Sequence, residues 1–345
     1  MKISEAKNAI KVCMQAKVPV FMTGSPGVGK SDAVRQIGAE QKREVIDLRM
    51  SLLNPVDLRG VPVAKDGVTS WLAPSFLPTG ESDAIVFLDE LNVAPPAVQA
   101  AAYQLVLDRQ VGEYKLPEGC DIVAAGNTAK DRAIVYEMSS ALRNRFCHLN
   151  IHEDLDEWKN WAFQHGIADG ILGFLNFRQE RLFFFDPKVH KQGFPTPRSW
   201  AFVSNVLQNV GSSYRSYGDV FAGMLGDGVG AELMSFLKIA ASIPDAEAVI
   251  IRGDMSVKAP SKNDAGILHA FAGALTGTAV RAKDPIKAGQ NLSKYLVAGK
   301  MPKEFTILAA KDFARSPVFA KVYRQLLATK EWQQFCEATG ETIMH

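Results

Sequence analysis

The stretch Gly24-Ser25-Pro26-Gly27-Val28-Gly29-Lys30-Ser31 follows the apolar run VPVFMT (18–23) and precedes a helical pattern from Ser31 to Gln41. It satisfies G-x-x-x-x-G-K-[ST] at every fixed position. A glycine-rich turn between strand and helix offers main-chain N–H groups to an anion, and the dipole of the following helix adds to the attraction. Lys30 brings a positive charge to the β- and γ-phosphates of a nucleotide, and Ser31 offers a hydroxyl to Mg²⁺. Asp32 ends the stretch expected to touch the nucleotide. Such a loop belongs at the carboxyl end of a strand in a parallel sheet, and that fixes the fold class as α/β.

Four further apolar segments read as strands: VIDLRM (45–50), AIVFLD (84–89), DIVAAG (121–126) and FCHLNI (146–151). Nearly continuous apolar runs rich in β-branched residues fit strands covered on both faces. Helical patterns lie between several of them, notably 31–41 and 96–108, so the sheet should be parallel with right-handed crossovers. Two hairpins interrupt this core, VPVAKDGVTSW (61–71) around Asp66-Gly67 and QVGEYKLPEG (110–119) around Gly112. After residue 152 the pattern turns helical, with Trp158, Trp161 and Ala162 spaced for one buried face. FPTPRSWAFVSNVL (194–207) predicts a helix with Thr196 as N-cap and Pro197 in the first turn. The last hundred residues also read as helices, with a loop at 252–264.

AIVFLDE places Asp89 at a strand end, where it can hold Mg²⁺ through water, and Glu90 where it can orient or deprotonate an attacking water. Acidic residues also end strands as helix caps, but a small-molecule kinase needs only the aspartate, so the second carboxylate favours hydrolysis. Asn127 ends the strand at 121–126, in place to hold that water or sense a γ-phosphate. Arg143 and Arg145 are expected on a short helix before the last strand, placed to reach a neighbouring subunit's nucleotide. Arg198 sits two residues into its helix, where a cation opposes the macrodipole at a cost of about 0.3–1 kcal/mol. Some other contact must favour it there, either a γ-phosphate or a nearby carboxylate.

In order and spacing these stretches resemble the AAA+ ATPases and, within them, the MoxR family, related to midasin, CbbQ and NorQ modules. DELNVAPPAVQAA (89–101) resembles that family's Walker B segment, ALRNRF (141–146) its arginine-finger segment and TPRSW (196–200) its sensor-2 motif. The similarity covers about residues 15–240. The chain departs from the family pattern at Val93, where an arginine is usual, and at Thr128, where proline is frequent. The resemblance implies Asn127 as sensor 1, Arg198 as sensor 2, and Arg145 as the trans-acting finger with Arg143 beside it. It implies a five-stranded αβα P-loop core (1–152), a helical lid (153–245) and a helical C-terminal extension (246–345). It further implies ATP with Mg²⁺, a homo-oligomeric ring, usually a hexamer, and a hairpin at 61–71 facing the pore or a partner. A von Willebrand factor A domain protein and a protein client are the partners that such a chaperone-like remodeller would have.

Composition bounds these readings. The 345 residues are 47% hydrophobic and carry a net charge of +2 from 39 basic and 37 acidic residues, so there is no bulk polycation for nucleic acid. The segment 251–345 alone is +6, with 14 Lys and Arg against 8 Asp and Glu, but its lysines are spread out. A DNA-acting AAA+ ATPase of helicase or loader type is the alternative this tail leaves open; a small-molecule kinase and a ring that binds ATP without turnover are two further rivals. Four dispersed cysteines suggest a reduced compartment. No apolar run approaches the roughly eighteen residues of a membrane span, and the N-terminus lacks a signal-peptide core, so the expectation is cytoplasmic. GMLGDGVGAEL (223–233) follows no strand and reads as a turn and cap rather than a dinucleotide loop. Arg252-Gly253-Asp254 and the pair His148 and His152 suggest neither adhesion nor a metal site.

Overall fold

Strands that are apolar at successive positions must be covered on both sides, and the helices of residues Met1–Glu153 do this for a central sheet. The computed structural model describes residues 1–128, 136–186 and 192–339. In chain order the first unit contains α1 (Ile3–Gln15), β1 (Val20–Thr23), α2 (Lys30–Gln41), β2 (Val45–Arg49), a 3₁₀ turn (Met50–Leu52) and α3 (Pro55–Arg59). Next come β3 (Val61–Lys65), β4 (Val68–Leu72), β5 (Ile85–Asp89), α4 (Pro96–Asp108), β6 (Gln110–Val111) and β7 (Tyr114–Lys115). The unit closes with β8 (Asp121–Gly126), α5 (Ser140–Arg143) and β9 (Cys147–Asn150).

All five expected strands form one parallel sheet in the order β2-β5-β8-β1-β9. Alternate side chains feed two cores. Ile85 and Phe87 of β5 join Ala6 and Ile10 of α1 and Val34 and Ile37 of α2 on one face. Val86 and Leu88 join Val98, Ala102 and Leu105 of α4 on the other. The sandwich is therefore αβα, with the five-stranded parallel sheet that the sequence led one to expect. Because β1 and β5 flank β8, the turns that leave these three strands lie side by side at one edge of the sheet.

Both hairpins form as small antiparallel ribbons, β3–β4 and β6–β7. Asp66 and Gly67 both take positive φ, 53° and 79°, as the tight turn between β3 and β4 requires. Val61, Val68 and Leu72 share one face of that ribbon and stay 59–63% exposed.

The second unit, Asp154–His345, is helical among its described residues. It begins with α6 (Leu155–Gln164), α7 (Asp169–Phe177), α8 (Pro197–Val210), α9 (Gly218–Leu225), α10 (Asp227–Ala240) and α11 (Ala246–Ile250). It continues with α12 (Ala265–Arg281), α13 (Pro285–Val297), α14 (Lys303–Arg315), α15 (Pro317–Leu327) and α16 (Lys330–Thr339). Thr196 caps α8 as expected: its hydroxyl accepts the Ser199 N–H at 3.0 Å while the Ser199 hydroxyl accepts the Thr196 N–H at 2.7 Å. The expected turn at 223–233 is the junction of α9 and α10 at Gly226.

One apolar core gathers Trp158, Ile171, Phe174, Trp200 and Leu233, and a second gathers Phe271, Leu292, Tyr295, Phe313 and Trp332. Polar ties join the helices around them across the expected 245/246 boundary. Arg281 forks onto Asp169 at 2.7 and 2.5 Å. The buried Lys159 ammonium meets Asp312 at 2.5 Å and Asn176 at 3.1 Å, and Asn176 also donates to Asp312 at 3.1 Å. No helix among the described residues is long and apolar enough to cross a membrane. Removing one partner of a buried ion pair leaves an uncompensated charge, so Asp312→Ala should destabilise this unit by about 3–5 kcal/mol. Urea unfolding followed by tryptophan fluorescence checks this, and an unchanged midpoint would show that Lys159 can find other oxygens.

Candidate nucleotide site

The chain leaves β1 at Thr23, turns through residues 24–29 and enters α2 at Lys30. Gly29 caps that helix with φ 102°, a left-handed conformation that side chains other than glycine rarely adopt. Lys30 folds back under its own loop. Its ammonium is 2.7 Å from the Gly24 carbonyl, 3.0 Å from that of Ser25 and 3.5 Å from Oδ1 of Asn127. The residue is buried, 8% exposed. Asp32 turns its carboxylate outward to Arg35, 3.1 Å away, so only its main chain belongs to the loop region.

Ser31 and Asp89 meet across the cleft between α2 and β5. The Ser31 hydroxyl donates to Oδ2 of Asp89 at 2.8 Å, while Oδ1 of Asp89 accepts the Glu90 N–H at 2.9 Å. Burial pushes the Asp89 carboxyl above the ordinary carboxylate range, against the hydrogen bonds from Ser31 and the Glu90 amide. The Asp47 and Glu90 charges push the same way as burial. A hydroxyl and a carboxylate oxygen at this separation are hard donors of the kind Mg²⁺ accepts, and a cation there would favour the ionised carboxylate that burial disfavours. The donor set fits the metal.

Glu90 takes φ 58°, unusual for a residue with a side chain, and so leaves the strand sharply. Its carboxylate accepts a hydrogen bond from the Ser51 hydroxyl in the 3₁₀ turn after β2. Ser51 was not foreseen. Nothing in RMSLL (49–53) marks it, because the contact arises only once β2 pairs with β5 in the register that sets Arg49 opposite Asp89.

Asn127 follows β8 and is held through its main chain. Its N–H donates to Oδ1 of Asn92 at 3.0 Å and its carbonyl accepts from Nδ2 of Asn92 at 2.8 Å. Leu91 donates to the Ala125 carbonyl at 2.9 Å. Lys30, Ser31, Asp89, Glu90 and Asn127 thus converge on one edge of the sheet, the edge where strands β1, β5 and β8 end. Asn92 is the second residue of this site to which no role had been given.

The arginines lie elsewhere. Arg143 ends α5, and Arg145 falls in the turn after it rather than on the helix, because the four-residue α5 closes with Arg145 N–H to Leu142 carbonyl at 3.1 Å. Both are exposed; Arg143 is 3.7 Å from the exposed Glu137, and Arg145 forms no ion pair among the described residues. They precede β9, whose first residue Cys147 pairs with Val20 at the start of β1. In a parallel sheet this is the end opposite the phosphate loop. Arg198, near the start of α8 in the second unit, is exposed and forms no ion pair among the described residues.

Comparison with known proteins agrees with this geometry. Residues 19–146 match the family model described as an AAA domain of the dynein-related subfamily. Among solved structures, a RuvB mutant from Thermotoga maritima aligns over 81% of this chain and 85% of its own, at 17% identity and a TM-score of 0.40. A candidate ATPase from Cytophaga hutchinsonii aligns over 79% and 74%, at 14% identity and a TM-score of 0.36. NtrX from Brucella abortus in complex with ATP aligns over 92% and 67%, at 13% identity and a TM-score of 0.38. At such scores the superposition is loose, and the strand order together with the matched segment defines the fold. Residues 19–146 form an AAA domain with a P-loop, and the chain is an ATPase.

Proposed function

We propose that this ATPase works as a ring of identical subunits, of MoxR type and in the cytoplasm, that spends ATP hydrolysis on remodelling or activating a protein client. One observation carries the reading. The five groups suited to phosphate, metal and water share one sheet edge, whereas Arg143 and Arg145 stand at the other end of β9. Strand β9 runs three residue steps from Cys147 to Asn150, about 10 Å of extended chain, so neither arginine is placed to serve its own subunit's loop. A copy of the chain packed against this end would receive them.

In this reading the loop amides hold the triphosphate, and Lys30 exchanges the Gly24 and Ser25 carbonyls for phosphate oxygens. Ser31 and Asp89 would hold Mg²⁺, whose charge would offset that of the phosphates. Glu90, steadied by Ser51, takes the proton of the attacking water, and the Asn127 amide orients that water. Arg145 of a neighbour stabilises charge in the transition state, with Arg143 beside it. Arg198 reports the γ-phosphate to the helices of the second unit. The lid (153–245) and extension (246–345) are the parts that motion would drive. The exposed apolar face of the β3–β4 ribbon supplies a surface for the client or for a partner such as a von Willebrand factor A domain protein. The net charge of +2 over the whole chain favours a protein client over nucleic acid.

Three outcomes are expected. Glu90→Gln should bind ATP with the parental affinity yet lose nearly all turnover, whereas Lys30→Ala should lose binding; parental hydrolysis by Glu90→Gln would remove it as the base. Removal of a trans-acting arginine should cost about 10³–10⁵ in rate. Titrating Arg145→Ala subunits into parental rings should therefore poison neighbours, and a strictly proportional decline would place catalysis within single subunits. The third outcome concerns the proton on Asp89. In the free protein its raised carboxyl contributes stability that is present below the ordinary carboxylate pKa and lost as pH rises through the elevated value. Mg²⁺ with nucleotide selects the ionised form, so the melting-temperature gain from them should be largest near neutrality and fade on acidification. A gain independent of pH would argue against Asp89 as the metal's carboxylate.

A further inference from the structure

Asn92 lies two residues beyond Glu90 in a turn, outside any helix or strand, yet is only 6% exposed. Its side-chain amide is committed to the peptide groups of a single residue: Oδ1 accepts the Asn127 N–H and Nδ2 donates to the Asn127 carbonyl. A primary amide is the side chain that can satisfy both the donor and the acceptor of a strand end in this way. The surroundings are fitted to it. A Cβ on Gly126 would fall 2.2 Å from Oδ1 of Asn92, so the residue before Asn127 has no room for a side chain. The turn carrying Asn92 is itself tight, since the N–H groups of Val93 and Ala94 both return to the Glu90 carbonyl, at 3.0 and 3.2 Å. The main-chain carbonyl of Asn92 accepts the Tyr136 N–H at 2.8 Å, at the start of the segment that leads through α5 to Arg145.

We infer that Asn92 is a positioning residue that locks Asn127 to Glu90, so that the base and the water-orienting amide move as one body. It does not touch the nucleotide. Without its side chain, the Asn127 N–H and carbonyl lose their partners and the end of β8 loses its register with the Glu90 turn. The amide that is 3.5 Å from Lys30 then drifts relative to the carboxylate. A displacement of this kind lowers the chemical step while leaving the phosphate loop, and hence ATP binding, intact. The same lock joins Glu90 to the chain entering the arginine segment.

The inference rests on the proposed roles of Glu90 and Asn127, and a mutant cycle separates the two. Steady-state hydrolysis and the affinity for a fluorescent ATP analogue are measured for Asn92→Ala, Asn127→Ala and the double variant. Asn92→Ala should lower kcat about a hundredfold with KM for ATP and analogue affinity within about threefold of parental. The double variant should fall no more than about threefold below the slower single variant, because two residues that act as a unit are not additive. Losses that multiply, or a parental kcat in Asn92→Ala beside a slow Asn127→Ala, would overturn the lock alone. A parental kcat in Asn127→Ala would instead overturn the underlying reading of that amide. Should Asn92→Ala fail to fold, Asn92→Asp takes its place in the cycle; it keeps the accepting oxygen, loses the donor, and must itself reduce kcat.

Discussion

A buried ammonium group must always have oxygens around it, and the whole site follows from how Lys30 meets that demand. Leaving such a charge unpaired costs several kcal/mol, so the loop supplies two of its own carbonyls and β8 supplies the Asn127 amide. These contacts tie the turn to its own lysine and to the end of β8. In the proposed function, ligand binding would replace carbonyl oxygens with phosphate oxygens at a charge that is already desolvated, leaving little reorganisation for the chemical step. Asn127 is part of this cradle, and the proposed function gives the same side chain the attacking water. The demand on Lys30 therefore reaches across β1 to β8 and, through Asn92, to the Glu90 turn on β5.

Parallel strands impose a second constraint. Every strand of the sheet ends at the same edge, so phosphate, metal and water ligands collect there while the turns that begin strands collect at the opposite one. Arg143 and Arg145 belong to a turn of the second kind. The topology thus sets Arg143 and Arg145 apart from the phosphate-loop edge of their own subunit. In the proposed ring, a dependence of hydrolysis on assembly would follow from strand direction.

What the sequence disclosed was local. The five strands, the Asp66-Gly67 turn and the Thr196 cap each depend on residues within a few positions of one another, and all are found where the pattern put them. The phosphate loop, Asp89, Glu90 and Asn127 were legible because each sits at a strand end. The contacts of Ser51 and Asn92 were not, because both depend on which strands become neighbours: β2 beside β5 for one, β5 beside β8 for the other. The α5 helix ends sooner than expected, and Arg145 passes into a turn. The same limit explains the boundary drawn at 245. The ion pairs that cross it, Asp169 with Arg281 and Lys159 with Asp312, span 112 and 153 positions, and no local composition announces them.

Those long-range pairs bear on how hydrolysis would become motion. Near Arg198 the Trp158 indole donates to the Pro197 carbonyl at 3.2 Å, and the Trp200 indole donates to the Arg181 carbonyl at 2.8 Å. The start of α8 is thereby tied to α6 and to the segment after α7. From there Lys159 and Asn176 hold α6 and α7 to Asp312 of α14, and Asp169 holds α7 to Arg281 of α12. A packed and ion-paired body transmits a push at one helix end to its far side with little bending, since breaking any buried pair costs more than a rigid rotation. In the proposed mechanism, a push at the start of α8 would therefore reach the C-terminal helices through α14 and α12 rather than stop at residue 245.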